Sequence, residues 1–411
     1  ILVERDGPGW MAQLQNSQLI SAGKLFELPR IELHKVDDTA RVGFSSLDVE
    51  SLSNWLNGSG LLPEKAVSIL AILKSSGVVD VAELRISYLT KWTENWSIIA
   101  EVSNVATQPY LGVPGLQGID AYIEATNAGA KAWIDSDDFI LNLPKVYREP
   151  LAFDRVSGIL SAHWQPGMLF LEDGLLNAQR SSHDAVVQFG MDIPLRRDSG
   201  YSLNMDLMVG AQNADVSVRN DYVPYIVPPK LYNWLSTALP DGHINSVAFV
   251  WRGALKDFKS ANQTMQLAAD ISGATVKFQP DWAPLEETIA TVSVDDSRVS
   301  VFSERARLRS AFVDQTSVEV AAASTGSSRL QVTARAHDSI PGGLAILAAS
   351  PLSTSVEALR RDLSATGRAL VDLDLELDLN QVAETLKIDV DIAIESGSLY
   401  SRASNLEITD V

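Results

Sequence analysis

Cysteine and histidine, the residues most often used as nucleophiles and metal ligands, are sparse in this 411-residue chain. It contains no cysteine, and no two of its five histidines have the i, i+3 or i, i+4 spacing that places two ligands on one helix face. Asp184 directly follows His183, but adjacent residues of a strand point to opposite faces and so cannot form a catalytic pair. The sequence therefore predicts neither a thiol nucleophile nor a histidine-based metal site.

Carboxylates are abundant, with 52 acidic residues against 33 basic ones and a formal net charge of −19. Asp135, Asp137 and Asp138 could bind calcium, but the segment lacks the glycine and distal glutamate of an EF-hand, so we predict a solvated turn. No carboxylate pair stands out beside a cluster of aromatic residues, as a glycosidase would require. We therefore expect a protein that is not an enzyme and has no metal site and no cofactor. The negative charge also argues against a nucleic-acid partner, because phosphate binding needs a basic surface.

Alternation of apolar and polar residues with a period of two dominates the chain. From 371 to 379 every odd residue is aliphatic and every even one is acidic, and a similar run follows at 388–394. Such a strand has one apolar face and one strongly solvated face. The pattern alone leaves two interpretations open: the apolar face could be a core packed against other layers, or it could line a groove for hydrocarbon.

A second pattern, in which helical spacing is followed by glycine and then by a strand, occurs three times. The glycines are Gly77, Gly242 and Gly367, and we interpret each as the left-handed stop of a helix that docks on a sheet. The helical residues are Ala66, Ile69, Leu70 and Leu73 in the first copy, 222–239 in the second, and Val356, Leu359 and Leu363 in the third. The repetition favours an architecture that propagates along the chain.

Turn-like segments recur at short intervals, which predicts strands joined locally as an antiparallel meander. They are 113–115, 165–167, 172–174, 198–200 and 396–397. We predict a mainly β fold with a few short helices, in which a long, twisted antiparallel sheet curls into an elongated open groove that the helices flank or plug. We expect one elongated unit over 1–411, with internal segments 1–76, 77–220, 221–302 and 303–411.

The central part of the chain resembles a known family. Tyr222-Val-Pro, Trp251-Arg-Gly253 and above all Phe278-Gln-Pro-Asp-Trp-Ala-Pro-Leu285 are similar to the YhdP family of AsmA-like envelope proteins, and the resemblance is most specific between about residues 100 and 302. It rests on packing and turn residues, so it implies a fold and a broad role but no catalytic site. The resemblance implies a periplasmic protein, anchored in the inner membrane, whose apolar β-groove lets phospholipids move towards the outer membrane.

The present chain differs from that pattern in having no membrane anchor: it starts at Ile1, and no apolar run approaches the roughly 18 residues of a membrane span. We therefore expect an internal fragment, with phospholipids as partners, attachment to the inner membrane through a segment outside this chain, and outer-membrane components as further partners.

Strand parity gives the residues expected to line such a groove. They are Leu203, Met205, Leu207, Val292, Val294, Val299, Val301, Leu373, Leu375, Leu377, Val390, Ile392 and Ile394. A shift of one residue in the register of a strand would reverse its set. The alternative is a non-enzymatic β-rich envelope scaffold that binds proteins or glycans and whose aliphatic face is entirely core.

Overall fold

A computed structural model describes residues 2–15, 17–21, 24–28, 30–59, 74–109, 113–195, 202–225, 227–255, 263–322 and 327–409. The chain divides into two compact units. Unit 1 comprises Ile1–Val209, Pro224–Ile226 and Arg252–Gln263, and unit 2 comprises Gly210–Val223, Val227–Trp251 and Thr264–Val411. The segment boundaries predicted from the sequence stay predictions.

Antiparallel strands build unit 1, and from β5 to β13 each strand pairs with the next one in the chain. The strands are β1 (Leu2–Asp6), β2 (Gly9–Leu14), β3 (Ser17–Ser21), β4 (Lys24–Leu28), β5 (Arg30–Val36), β6 (Thr39–Asp48), β7 (Ser76–Ser87), β8 (Trp96–Thr107), β9 (Gly115–Thr126), β10 (Gly129–Asn142), β11 (Leu151–Gln165), β12 (Met168–Arg180) and β13 (His183–Pro194). Strands β3 and β4 form a separate two-stranded sheet, and β2 pairs with β5. Helix α1 (Val49–Ser59) follows β6 in the chain.

Two further strands, β14 (Asn204–Asp215) and β15 (Asp241–Ala254), have residues in both units. Unit 2 continues with β16 (Thr264–Val276), β17 (Leu285–Asp295), β18 (Arg298–Leu308), β19 (Ala311–Ala322), β20 (Ser328–Ser339), β21 (Leu363–Asp378), β22 (Lys387–Ser401) and β23 (Leu406–Thr409). Its helices are α2 (Arg219–Tyr222), α3 (Pro229–Ala238), α4 (Ile340–Ala348), α5 (Ser353–Asp362) and α6 (Val382–Thr385).

The predicted fold class is confirmed. Among the described residues, the strands other than β3 and β4 belong to one open 21-stranded antiparallel sheet, and the helices are few and short. The register confirms the local meander, because β5 to β13 and β16 to β23 each pair in chain order.

Several predicted turns are wrong, because they lie inside strands. The segment Glu172–Gly174 belongs to β12 and Ser396–Gly397 to β22, and the predicted solvated turn at Asp135–Asp138 belongs to β10. Asp173 and Asp138 have φ angles of 51° and 53°, and the register shifts beside each of them. Asp and Gly tolerate this left-handed backbone in β-bulges as well as in turns, so an Asp-Gly pattern in the sequence does not distinguish a bulge from a turn. The turn at 165–167 is confirmed, and 198–200 lies outside the described residues.

The glycines of the repeated unit are not helix stops. Gly77, Gly242 and Gly367 lie within β7, β15 and β21, with φ angles of 121°, 137° and 101°. A Cβ on Gly367 would collide with the carbonyl oxygen of Ser396 on the next strand. Close approach of neighbouring strands therefore requires glycine here. Leu363 is the first residue of β21 rather than helical, and the helical residues predicted at 66–73 lie outside the described part of the chain.

Candidate functional site

In unit 2, aliphatic side chains form continuous rows across the strands. Directly paired residues of an antiparallel sheet project their side chains from the same face. One row crosses seven strands through Ala269, Val292, Val301, Val318, Val332, Leu375 and Ile388, and a second crosses six through Leu267, Val294, Val299, Val320, Leu330 and Leu377. We call the side of the sheet that bears these rows the unit-2 apolar face.

Ten of the residues predicted from strand parity share this face. Leu373 pairs with Val390, and further along the same two strands Ala369 pairs with Ile394. The ten are Val292, Val294, Val299, Val301, Leu373, Leu375, Leu377, Val390, Ile392 and Ile394. The other three belong to unit 1: Leu203 is buried just before β14, whereas Met205 and Leu207 are half-buried within that strand. For all thirteen residues, the role as lining residues stays a prediction.

Sequence reasoning missed a longer row in unit 1. It crosses ten strands through Ala12, Leu33, Val42, Leu84, Ile98, Ala125, Ala130, Ala162, Leu171 and Met191. We call the side of the sheet that bears it the unit-1 apolar face. The signal was present in β7, where Ala82, Leu84 and Ile86 alternate with Glu83 and Arg85, but many of the row's members are alanines, which stand out less than leucine or valine.

Both apolar faces are incompletely covered. Eight of the ten residues in the unit-1 row are half-buried, with only Ala12 and Met191 buried, and Leu377 is the one buried residue of the unit-2 rows. Most members of the rows therefore keep part of their side chain accessible to water.

The opposite side of the unit-2 sheet is polar. A row there runs through Ala268, Ser293, Ser300, Glu319, Gln331, Glu376 and Lys387. Arg335 Nε donates to Asp372 Oδ1 at 2.7 Å, and this hydrogen bond holds the pKa of Asp372 below its ordinary value. The two sides of the unit-2 sheet therefore differ sharply in polarity.

Buried hydroxyl groups interrupt the apolar faces at isolated points. In unit 1, Ser136 is completely buried; its Oγ donates to the carbonyl of Asp120 and accepts from the Asp120 amide. In unit 2, Ser303 Oγ donates to the carbonyl of Ile289 at 3.0 Å. Thr288 is 5% exposed, and its Oγ1 has no hydrogen-bond partner within the described residues. These groups are too scattered to form a polar site of their own.

Arg219 holds the helical segment of unit 2 together. Its guanidinium donates to the backbone carbonyls of Val216, Leu235 and Ser236, which ties α3 to the turn before α2. Burial lowers the pKa of Arg219, while the nearby Asp215 opposes this shift. Arg219 also lines a small cleft together with Asn220 and Tyr232, and its hydrogen bonds there are to the protein backbone.

The histidines that have acidic neighbours pair with them across strands. His163 Nδ1 lies 3.1 Å from Glu172 Oε2, and His337 Nδ1 lies 3.2 Å from Asp314 Oδ2. Within the part of the chain that the structure describes, no three His, Asp or Glu side chains converge closely enough to hold a metal ion. No helix in the described ranges is long and apolar enough to cross a membrane.

Comparison with known protein families identifies a match over the whole chain. The family model described as YhdP protein matches residues 1–411, so it includes every strand of both apolar faces. No curated protein and no solved structure matches the chain.

Proposed function

The chain belongs to the YhdP family of bacterial envelope proteins, and we propose that it is part of a periplasmic conduit that carries phospholipids between the inner and outer membranes. Acyl chains would lie against the apolar faces while the headgroups stay in water. The role is non-enzymatic. The inner membrane and outer-membrane components would be its further partners.

The observation that carries the proposal is the continuity of the rows. In unit 1 the row of ten residues contains no polar member, and in unit 2 the row of seven contains none either. Each methylene moved from water to an apolar surface is worth about 0.8 kcal/mol, so exposing a two-chain lipid would cost tens of kcal/mol. Along a row with no polar residue, an acyl chain keeps apolar contact from one strand to the next. Most of the free-energy cost of exposing the lipid to water is then avoided.

Lipid binding is tested with a phospholipid that carries a photoreactive diazirine in one acyl chain. The purified chain is irradiated with this lipid, and the labelled peptides are identified by mass spectrometry. We expect labels on residues of the two apolar faces. A chain that co-purifies with no phospholipid and takes up no labelled lipid would contradict the conduit and favour the scaffold alternative.

Two adjacent residues of β17 provide a matched pair for this experiment. Val292 lies in the seven-strand row, and Ser293 lies on the polar side of the same strand. Val292→Asp places a carboxylate in the proposed path, so we expect roughly tenfold weaker lipid binding, equivalent to about 1.4 kcal/mol. Ser293→Asp adds the same charge on the solvated side and should leave binding unchanged. Equal losses in both variants would show that the effect comes from net charge rather than from the face.

A further inference from the structure

Four of the chain's nine tryptophans lie at one end of the unit-1 sheet. Trp10 is the second residue of β2, Trp96 begins β8, and Trp164 is the last residue but one of β11. The fourth, Trp92, lies in the connection that leads into β8. They share one end because alternate connections of an antiparallel meander lie on the same side, and those from β5 to β6, β7 to β8, β9 to β10 and β11 to β12 are all here. We call this end the tryptophan end of unit 1.

The outermost row of the unit-1 apolar face at the tryptophan end contains two cations. Its directly paired members are Arg5, Trp10, Lys35, Ala40, Ile86 and Trp96. From Trp10 to Trp96, each member lies two residues from a member of the ten-residue row on the same strand, so it projects from the same face. The row contains no acidic residue, and neither Arg5 nor Lys35 forms an ion pair with a described residue. Positive charge is therefore placed at the margin of an apolar surface.

Two side chains of this end have their polar tips at the connections and their apolar parts on the face. Lys35 is half-buried, and its Nζ donates to the carbonyl oxygen of Asp37, in the connection after β5, at 2.8 Å. Trp164 is two residues from Ala162 of the ten-residue row, and its Nε1 donates to the carbonyl oxygen of Asn127, in the connection after β9, at 2.8 Å. Lysine and tryptophan adopt this arrangement where hydrocarbon meets water.

The opposite end of the same face is packed. Phe139, Val156 and Ala178 form a buried cluster there and are 8%, 2% and 6% exposed. At the tryptophan end, by contrast, Trp10 and Trp92 are 42% and 47% exposed. A charged group has to stay in water, because burying it without a partner is costly. Of the two ends, the tryptophan end is therefore the one that suits the charged part of a ligand whose apolar part lies on the face.

We propose that the headgroups of bound phospholipids leave unit 1 at the tryptophan end, an inference that rests on the proposed conduit. Arg5 and Lys35 bind the phosphate, and Trp10 and Trp96 contact the glycerol ester region. A phospholipid fits this row because its phosphate is an anion joined directly to two acyl chains. The cations then meet the phosphate while the chains follow the apolar face towards the packed end.

The surface of a bilayer fits the same end less well. The connections there expose Asp37, Asp38 and Glu94, and the whole chain has a formal net charge of −19. An anionic membrane surface would repel these acids. A single lipid that lies on the apolar face meets the row with Arg5 and Lys35 instead.

Photolabelling of the intact chain locates the headgroup. The chain is loaded with a phospholipid that carries a diazirine on its headgroup and, separately, with the acyl-chain probe described above. We expect the headgroup probe to label peptides that contain Trp10 or Trp96 at least about fivefold more than peptides that contain Val156 or Ala178. The acyl-chain probe should label residues further along the apolar face.

Matched double variants test the two cations. Arg5→Gln/Lys35→Gln should weaken phospholipid binding about tenfold, because two charge-assisted contacts with the phosphate are lost. Its affinity for a diacylglycerol with the same acyl chains should not change. Arg5→Lys/Lys35→Arg keeps both charges and should keep phospholipid binding. Arg41→Gln/Lys131→Gln removes the same charge from the polar side of the unit-1 sheet, so it should change neither affinity.

Failure of this inference is distinguishable from failure of the conduit. If neither probe labels the chain and no lipid binds, both are wrong. Headgroup labelling at Val156 and Ala178, or equal losses in the two glutamine variants, would overturn the headgroup assignment and leave the conduit standing. Complete displacement of the lipid by inorganic phosphate would overturn it in favour of a soluble anion. Binding of intact phospholipid vesicles that extracts no lipid and is lost in Arg5→Gln/Lys35→Gln would identify a bilayer as the occupant.

Discussion

Arg335 on β20 and Asp372 on β21 form a two-pronged ion pair, with Nε to Oδ1 at 2.7 Å and Nη2 to Oδ2 at 3.1 Å. It joins two strands on the side of the sheet opposite the apolar face. The arginine stabilises the ionised carboxylate, which lowers the pKa of Asp372 below its ordinary value and raises that of Arg335. Both side chains are about half exposed, so water screens the pair and its contribution to stability is small.

The first prediction concerns the pH dependence of this contribution. Because the folded-state pKa of Asp372 is lowered, its stabilising effect is present above the unfolded value of about 3.9 and is lost as pH falls through the folded value. Asp372→Asn should therefore lower the free energy of unfolding slightly at pH 7, and the difference from the parent chain should disappear in acid. Urea unfolding at a series of pH values measures this.

Asp374 provides the control. It lies two residues along the same face, directly opposite Asp389, and has no ion-pair partner among the described residues. Asp374→Asn removes one of two opposed like charges, so it should leave stability at pH 7 unchanged or slightly higher. A loss equal to that of Asp372→Asn would mean that the ion pair is not the cause.

The second prediction concerns the unsatisfied hydroxyl of Thr288. Thr288→Val keeps the shape of the side chain and removes a buried polar atom that makes no hydrogen bond in the described structure, so we expect the free energy of unfolding to rise by about 1 kcal/mol. Ser303→Ala is the control, because that hydroxyl donates to the carbonyl of Ile289; it should cost roughly 1 kcal/mol. If Thr288→Val is destabilising, the hydroxyl has a partner such as a buried water.

The third prediction compares two glycine-to-alanine changes, at Gly367 and at Gly343. At Gly367 the φ angle of 101° and the close approach of the Ser396 carbonyl leave no room for a side chain, so Gly367→Ala should cost at least about 3 kcal/mol. Gly343 lies in helix α4, and a Cβ there would have no atom within 4 Å. Gly343→Ala should therefore stabilise by about 0.5–1 kcal/mol through helix propensity. Thermal and urea unfolding measure both, and similar effects would contradict the role assigned to Gly367.

Period-two alternation was enough to predict the fold class and the shared face of ten lining candidates. Leu373, Leu375 and Leu377 alternate so regularly with acidic residues that their common face follows from strand geometry alone. The bulges could not be predicted in the same way. Asp138 and Asp173 are aspartates, a residue type that is common in turns. Only pairing with a neighbouring strand decides whether the chain reverses direction there or continues through a bulge.

The unit-1 row depends on register between strands, which no single strand encodes. Ala125 and Ala130 come to lie side by side only because β9 and β10 pair with that offset. Alanine contributes little to a hydrophobic pattern, so the face becomes evident only when ten strands are aligned. Residue size is no better guide on α3, where Trp234 is 45% exposed and the small Ala238 is buried.

The fourth prediction uses three residues of the unit-2 apolar face that differ in exposure: Ile392 is 65% exposed, Leu375 is half-buried and Leu377 is 9% exposed. Replacing each by aspartate adds the same charge on one face, so the cost should follow the water that remains around it. We expect a loss in free energy of unfolding of less than about 1 kcal/mol for Ile392→Asp, about 1–3 kcal/mol for Leu375→Asp and more than about 3 kcal/mol for Leu377→Asp. Urea unfolding with unchanged m-values measures the three. Global unfolding of all three variants would show that another layer covers this face as a closed core, because a charge at each position would then be buried without a partner.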